Sequence, residues 1–544
     1  MILKNSLSYI NQFFFLISNQ ARKFYLNSKI YNNKISKINE KNLEYKPSPN
    51  LLECLIKYDK NKNNIEDFYL NKIWSNENLK KKDYNNLHSF FWLFTLDLNS
   101  SKEKVQSVIL NWIDNNFKYN HLNWNIDILS KRVLAWISNS KLTYENSSEN
   151  YKEKFDGLIQ KQINHLINEI DRSKWVDDKM IGCAAIILGG LAYHEKEKFL
   201  NYGLNLLKKI IKFSFDKEGF PKSRNIRQLN FYLKYFILIR EWLKESQNEI
   251  PEYLDEIIFH LGQANFLIHK NIDQTFLFNG NQISKNSEFE NYLNRLGYNF
   301  KNENNEIGGY VFLKNKKFAL ALDFGPTPDK KFSDNYQSGA LSFEIISNNK
   351  KLICNSGYFQ NYKHQLNNIS KTSACHSTLI IANTSSAQFI KQPNGPTIIS
   401  NKLEIFDKKV VTEKNYWSIS ASHNGYSKRF GIIHNRKIDF LHDEKKFIGI
   451  DTILKKKKFK STTFEIRFHL DPTSKVMKTQ DSKTIYIDLN NEGWKFLCKE
   501  YKIDIETGLF FGLKNNFVEN QNIVISGIVE NEKQKINWEL EKIQ

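Results

Sequence analysis

The chain is short of arginine, cysteine and long apolar runs, and each shortage excludes something. Only ten of its 79 basic residues are Arg, and they are scattered. Nucleic-acid readers lean on the guanidinium fork for bidentate contacts to bases and phosphate, so no nucleic-acid partner is expected. The formal charge is nonetheless +20, from 79 Lys+Arg against 59 Asp+Glu. Nucleic acid, an anionic lipid surface or an acidic polymer would each answer that balance. So would an AT-rich genome, which enriches Lys, Asn, Ile and Phe without any polyanion partner. The one dense run, Lys455 to Lys458, falls between strand-like segments and reads as a solvated hairpin tip.

Five cysteines (Cys54, Cys183, Cys354, Cys375 and Cys498) form no C-x-x-C pair and no zinc-finger spacing. So sparse and odd a set is no disulfide framework. Buried free thiols are expected, with Cys354 and Cys375 as the pair an oxidising compartment could join. The N-terminal apolar stretch, Phe13 to Ile17, is five residues long, below a signal-peptide core and far below a membrane span. Ser18-Asn-Gln-Ala21 makes a poor cleavage site, so neither a cleavable signal nor a transmembrane segment is expected. Nucleophile elbow, P-loop, dinucleotide fingerprint and H-E-x-x-H are all missing. Nothing fixes an oligomeric state.

What is present is enough to build large cores: 544 residues, 40% hydrophobic and 14% aromatic, too long for one domain. Over residues 50–270 the apolar residues recur at helical spacing. Val105, Val108, Ile109, Trp112 and Ile113 share a helix face, as do Leu129, Val133, Trp136 and Ile137. Phe155, Ile159, Ile163, Leu166 and Ile170 form a third face, and Met180 to Tyr193 is apolar nearly all round. Further helices are expected at about 199–213, 226–244 and 252–268. Short connections between them predict antiparallel hairpins laid side by side as an (α/α) toroid.

After about residue 300 the period changes to that of strands. Phe318–Phe324, Ala340–Ile346, Ser377–Ile381, Val410–Ser420, Phe447–Ile453, Thr463–Leu470, Thr484–Leu489 and Asn522–Val529 are short β-type runs. They predict an antiparallel β-sandwich over 306–544, joined to the toroid by a polar, Asn-rich linker over 271–305 and preceded by a partly helical extension over 1–49.

Four segments stand out from plain scaffold. Trp175-Val-Asp-Asp-Lys179 puts two carboxylates, Asp177 and Asp178, at the mouth of the most buried helix, where an N-cap and dipole role is the bland reading. Asp216 to Asn225 is a turn feeding a helix that Ser223 or Asn225 would cap. Asp334 to Glu344 is a polar loop running into a strand. Cys354-Asn-Ser-Gly357 is followed by Lys371 to Thr378, which sets His376 at the head of an apolar strand. A lone His there is more often a hydrogen-bonded structural group than a base.

In this order the segments resemble the heparinase II/III-like family of polysaccharide lyases. Ala340-Leu-Ser-Phe-Glu-Ile-Ile346 is similar to the family's D-A-L-S-F-E-L strand, and Leu352-Ile-Cys-Asn-Ser-Gly357 to its L-x-V-D-P-G turn. Lys371-Thr-Ser-Ala-Cys-His-Ser-Thr-Leu379 is similar to R-S-T-A-A-H-N-T-L, and Gly219-Phe-Pro-Lys-Ser-Arg-Asn225, more loosely, to D-G-G-x-x-E-R-S.

The resemblance implies a toroid joined to a sandwich, an acidic uronate-containing polysaccharide as partner, and cleavage by β-elimination. A base removes the C5 proton, an acid protonates the leaving oxygen, and the adjacent carboxylate must be neutralised. It also implies the cell envelope or periplasm, while the missing signal peptide leaves the cytoplasm open.

Carried across, the proton-handling roles fall to His376 and Tyr232, and neutralisation to Arg224 or Arg132. Asp178, Asn225, Gln228, Asn335 and Gln337 become substrate-binding candidates. The family's Tyr falls near Gln228, its H-x-H histidines fall at Asn335 and Gln337, and its V-D-P-G Asp is Asn355. Where members hold zinc, the ligand positions here read Gln337, Asn355 and His376, so no metal or other cofactor is expected. These replacements leave two functions open: a divergent lyase, or a catalytically inactive carbohydrate-binding or envelope-maintenance protein of the same fold.

Overall fold

A computed structural model describes residues 17–36, 42–55, 74, 79–96, 101–193, 197–270, 272–284, 287–392, 395–456, 461–513 and 516–543. The chain divides into two compact units. One takes in the described residues up to Ser214 together with Phe231–Phe259; the other takes in Phe215–Asn230 and His260–Gln544.

The first unit is helical, and its helices begin where short polar side chains can cap them. Ser101, Asn125 and Ser148 each accept a backbone N–H at the head of Lys102–Asn116, Ile126–Ser138 and Glu149–Glu169. The three apolar faces read from the sequence are all buried. Val176–Ala192 is buried continuously from Met180 to Ala192 and packs against both Ile126–Ser138 and Glu197–Ser214. Its small residues are needed. A Cβ on Gly190 would stand 2.5 Å from the Leu200 nitrogen, and one on Gly182 would stand 2.6 Å from Ile170 Cδ1.

Asp177 and Asp178 occupy the first turn as expected, but the N-cap is Trp175, which makes no side-chain cap. Their carboxylates lie where the helix dipole favours negative charge. Among the described residues no helix is long and apolar enough to cross a membrane. Of the stretch Phe13–Ile17, only Ile17 lies within the described residues.

The second unit is antiparallel β-sheet, so the chain runs from helical hairpins to a sandwich. Among the described residues the larger sheet runs 306–307, Tyr310–Lys314, Phe318–Asp323, Phe343–Ser347, Lys350–Cys354, Thr462–Leu470, Val518–Val529 and Ile503–Phe510, with Leu379–Ile381 pairing Thr462–Leu470. The other runs Lys475–Lys478, Thr484–Asp488, Gly493–Leu497, Lys533–Lys542, Lys446–Lys455, Ile432–Leu441, Tyr416–His423 and Ile405–Glu413. Between them lies one apolar core, in which Trp538 stacks on Phe343 at 5.4 Å and meets Phe468 edge-on at 5.0 Å.

Three details depart from the sequence reading. Val410–Ser420 is a hairpin, Ile405–Glu413 and Tyr416–His423 joined through Lys414 and Asn415, and not one strand. The 340–346 strand begins only at Phe343, because Leu341 adopts a φ of 55°. The lysine run is no hairpin tip. Lys446–Lys455 lies in one sheet and Thr462–Leu470 in the other, so the run belongs to a crossover, with Lys457 and Lys458 outside the described residues. Within 271–305, Phe276, Leu277 and Phe278 are buried and a helix spans Ser287–Arg295.

Candidate functional site

The turn from Asp216 to Asn225 belongs to the β unit. Asp216 folds it by accepting the backbone N–H groups of Glu218 and Phe220 at 3.0 and 2.9 Å. Arg224, held at a φ of 58°, then turns its guanidinium inward. It pairs with Asp323 at 2.5 Å and donates to the carbonyls of Gly308, Gly309, Gly325 and Pro326 at 2.7–3.2 Å. Its face lies over the Tyr310 ring, 4.7 Å away. Burial works against the charge of Arg224, but Asp323 raises its pKa on balance. Its donors are committed to the fold, so the carboxylate-neutralising role expected of Arg224 has no group left to perform it.

Asn225 follows and caps the helix Ile226–Glu245, its Oδ1 accepting from Arg227 N at 2.9 Å and Gln228 N at 3.3 Å. Its Nδ2 is buried and has no hydrogen-bond partner among the described residues. Gly280 makes room for that amide: at a φ of 78° it could carry no Cβ without pressing on Asn225 and on Asn335 Cβ. Asn335 is half-buried, and its Oδ1 accepts from the Tyr358 hydroxyl at 3.0 Å. Gln228 accepts from the Ser223 hydroxyl at 2.5 Å.

Gln337 and Asn355 serve the loops. Gln337 accepts from Gly280 N at 2.9 Å and donates to the carbonyls of Gly357 and Ser370 at 2.9 and 2.6 Å. Asn355 donates to Glu344 at 3.1 Å and accepts from Ser377 N at 3.0 Å. Glu344 is buried with Lys351, 2.7 Å away. Both amides are engaged in these bonds, and neither is an anionic or imidazole donor. Together with one imidazole they do not fit zinc. Among the described residues no group of three His, Cys, Asp or Glu could hold a metal.

His376 stands three residues ahead of the strand Leu379–Ile381 and is buried. Its Nδ1 sits 2.8 Å from the Thr372 carbonyl, which can only accept, so Nδ1 carries the proton. Nε2 then bears a lone pair, and it has no partner among the described residues. Burial pushes its pKa down to about 4. The ring lies against Gly339, where an added Cβ would come within 2.7 Å of Cδ2 and 3.0 Å of Ser342 Oγ. The Ser342 hydroxyl is also buried without a partner among the described residues.

Arg224, Asn225, Gln228, Asn335, Gln337 and His376 are thus gathered in the β unit, while Arg132, Asp178 and Tyr232 belong to the helical one. Arg132 is wholly buried. It donates to the carbonyls of His88 and Asn123 at 2.8 and 3.1 Å and covers the Trp112 ring at 4.2 Å, the placement of a core residue rather than of a substrate clamp. Asp178 is half-buried, and burial together with Asp127 and Asp177 raises its pKa to about 7. Tyr232 is buried between Phe231 and Phe236 on its own helix.

The sequence reading missed Asp323, Asn279, Tyr310 and Tyr358, which hold the loops around the orphaned amide. Asn279 bonds Tyr310 and Gln337 N, and Tyr310 donates to the Arg224 carbonyl at 2.6 Å. Such partners come from distant positions and leave no local pattern. The cysteines Cys354 and Cys375 are free and buried.

Residues 304–539 match the family model described as Heparinase II/III-like, C-terminal. Among solved structures the chain is similar to heparan sulfate lyase from Pedobacter heparinus, at 13% identity over 86% of this chain and 78% of that one, with a TM-score of 0.63. It is similar to a heparinase III at 15% identity over 90% and 80%, TM-score 0.66. A further heparinase III gene product aligns at 13% over 92% and 86%, TM-score 0.69. At such identities the likeness is one of fold. No curated protein matches the chain.

Proposed function

We propose, from the match of residues 304–539 to the Heparinase II/III-like C-terminal family model, that the chain is a heparinase II/III-like lyase cleaving an acidic, uronate-containing polysaccharide of the cell envelope by β-elimination. The observation that carries this reading is the state of His376: a buried imidazole whose Nδ1–H is fixed on the Thr372 carbonyl and whose Nε2 is left without a partner among the described residues.

With a pKa pushed down to about 4 by burial, the ring is neutral and proton-accepting at neutral pH. Nε2 takes the C5 proton as the C5–H bond breaks. The electron pair forms the C4=C5 double bond, and the C4–O bond breaks. The leaving oxygen takes a proton from the imidazolium so formed. The uronate carboxylate needs a donor to stabilise charge at the aci-carboxylate stage. Arg224 and Arg132 are committed elsewhere, so the task passes to Asn225, whose unpaired Nδ2 sits at a helix N-terminus.

Incubation with a panel of uronate polymers should yield an unsaturated product, read by its ultraviolet absorbance, and His376→Ala should abolish it. A panel without product would sink the lyase. The second reading, a carbohydrate-binding protein without chemistry, is favoured by the commitment of Arg224, Gln337 and Asn355 to structural bonds. It expects glycan binding without turnover, unaffected by His376→Ala.

A further inference from the structure

The sheet that contains Tyr416–His423, Ile432–Leu441 and Lys446–Lys455 carries a buried polar ladder that the lyase reading does not use. Gly425 N–H donates to His423 Nδ1 at 3.1 Å, so the proton of that ring sits on Nε2. His423 Nε2 lies 3.2 Å from His434 Nδ1, and His434 Nε2 lies 2.6 Å from Asp451 Oδ1. Donation therefore runs one way, from His423 through His434 to Asp451. The same carboxylate accepts from Trp538 Nε1 at 3.0 Å and takes both Nε and Nη2 of Arg436, at 2.7 and 3.0 Å. All of these side chains are buried. Arg436 and Asp451 stand directly opposite one another on neighbouring strands. Burial opposes the charge on Asp451, yet Arg436 and His434 together hold its carboxyl well below the usual range.

The bidentate grip leaves Arg436 one nitrogen, Nη1, and that nitrogen reaches the two turns that lead into Phe343–Ser347 and Leu379–Ile381 of the other sheet. It donates to the carbonyls of Leu341 at 2.9 Å and Ser377 at 2.7 Å. Leu341 closes the turn whose Gly339 lies against the His376 ring, and Ser377 follows His376 in the chain. The remaining polar groups of Ser377 are held as well, its N–H by Asn355 and its hydroxyl against the Cys354 carbonyl. The wall of the imidazole and its backbone anchor therefore share a single donor.

We propose that Arg436, locked by Asp451, is a positioning residue for His376, fixing the imidazole by tying together the two backbone segments that hold it. The proposal rests on the reading that His376 handles the proton. A lysine at this position keeps the charge but cannot grip a carboxylate bidentately and serve two further carbonyls in fixed geometry. Misplacing a catalytic group by about 1 Å costs on the order of 100-fold in rate.

The test uses the full-length chain. Arg436→Lys and Asp451→Asn are compared with wild type and with Lys437→Met, a neighbouring position whose Nζ pairs with Asp439 and not with the buried ladder. Folding is followed by thermal melting, turnover by kcat and KM on a cleaved uronate polymer, and the imidazole by its proton–nitrogen NMR signals. In folded Arg436→Lys the His376 signals should move and kcat should fall by about 10- to 100-fold, with KM much less affected. Lys437→Met should leave both unchanged.

Coincidence of the His376 signals in wild type and folded Arg436→Lys overturns the proposal, as does an unchanged kcat. If wild type cleaves no polymer, the lyase reading fails while the imidazole signals still decide the positioning role. Should Arg436→Lys not fold, Trp538→Phe, which removes one bond from Asp451, must move the same signals to a smaller extent. Unmoved signals there overturn it equally.

Discussion

Arg224 and Asp323 form a buried ion pair 99 positions apart in the chain, with Nη2 2.5 Å from Oδ1 and both side chains nearly inaccessible. Burial raises the Asp323 pKa on balance even against Arg224, so the carboxylate depends on its cation and on the Gly325 N–H and Asn279 amide around it. Replacing Arg224 by Met leaves that carboxylate and four carbonyls without their donor. Arg224→Met is expected to lose about 3–5 kcal/mol of stability, measured by denaturant unfolding, and Asp323→Leu in the same chain should restore part of it. A single variant as stable as wild type would show that the pair holds nothing.

Asn225 offers a sharper test of charge than of packing. Asp caps a helix as well as Asn does, so Asn225→Asp keeps the cap while turning the unpaired donor into an anion. A uronate carboxylate would then meet repulsion. On a cleaved polymer, Asn225→Ala is expected to lower kcat/KM by about 10²–10³, the usual cost of one such donor. Asn225→Asp should lose more than Ala, with the melting temperature close to wild type. Equal losses for the two would argue against a carboxylate at this position.

Several histidines are buried as neutral rings. Burial pushes His376 down to about 4, and His88, His269 and His469 to about 3, from 6.5. The unfolded chain therefore binds protons that the folded one refuses, and acid favours unfolding. The stability these rings contribute is complete above pH 6.5 and drains away as pH falls toward their folded values. Melting temperature should drop steadily between pH 6.5 and about 4, since a tenfold difference in proton affinity between the two states is worth about 1.4 kcal/mol for each ring. His469→Gln should shallow the slope. On the same grounds, turnover by a neutral His376 should persist on the acid side until about pH 4.

Asp178 responds to pH in the opposite direction. Burial, Asp127 and Asp177 raise its pKa to about 7, so the folded chain resists an ionisation that the unfolded chain accepts from 3.8 upward. Stability is lost as pH rises through that window, and Asp178→Asn should melt higher than wild type at and above neutral pH, with the difference vanishing near pH 4. A melting curve that does not separate at alkaline pH would place Asp178 in solvent.

Much of the fold was legible because burial repeats. The helix faces at 105–113 and 155–170 and the strands at 318–324, 463–470 and 522–529 each carry a periodic apolar signature. The Val410–Ser420 hairpin was hidden because Lys414 and Asn415 interrupt a run of β-forming residues without Gly or Pro. His376 was singled out in the sequence by the small hydroxyl residues around it. The fates of Arg224 and Arg132 were not, since whether a guanidinium points to solvent or to a buried acceptor depends on Asp323, or on His88 and Asn123, at distances the sequence does not encode. The Arg436–Asp451 ladder escaped for the same reason: two strands of mixed residues met in register, and only their pairing makes a charged cluster inside a sandwich.

The turn at Phe215–Asn230 has a practical effect on how the protein can be dissected. It lies well upstream of the family-matched stretch, yet it packs with the β unit. A fragment cut to residues 304–539 would wall in Asp323 with no cation beside it, leave the glycine-rich rim at 308, 309 and 325 unlaced, and lack Asn225 altogether. Enzymology on such a fragment would report the loss of a neighbour borrowed from upstream, whatever chemistry the intact polypeptide performs.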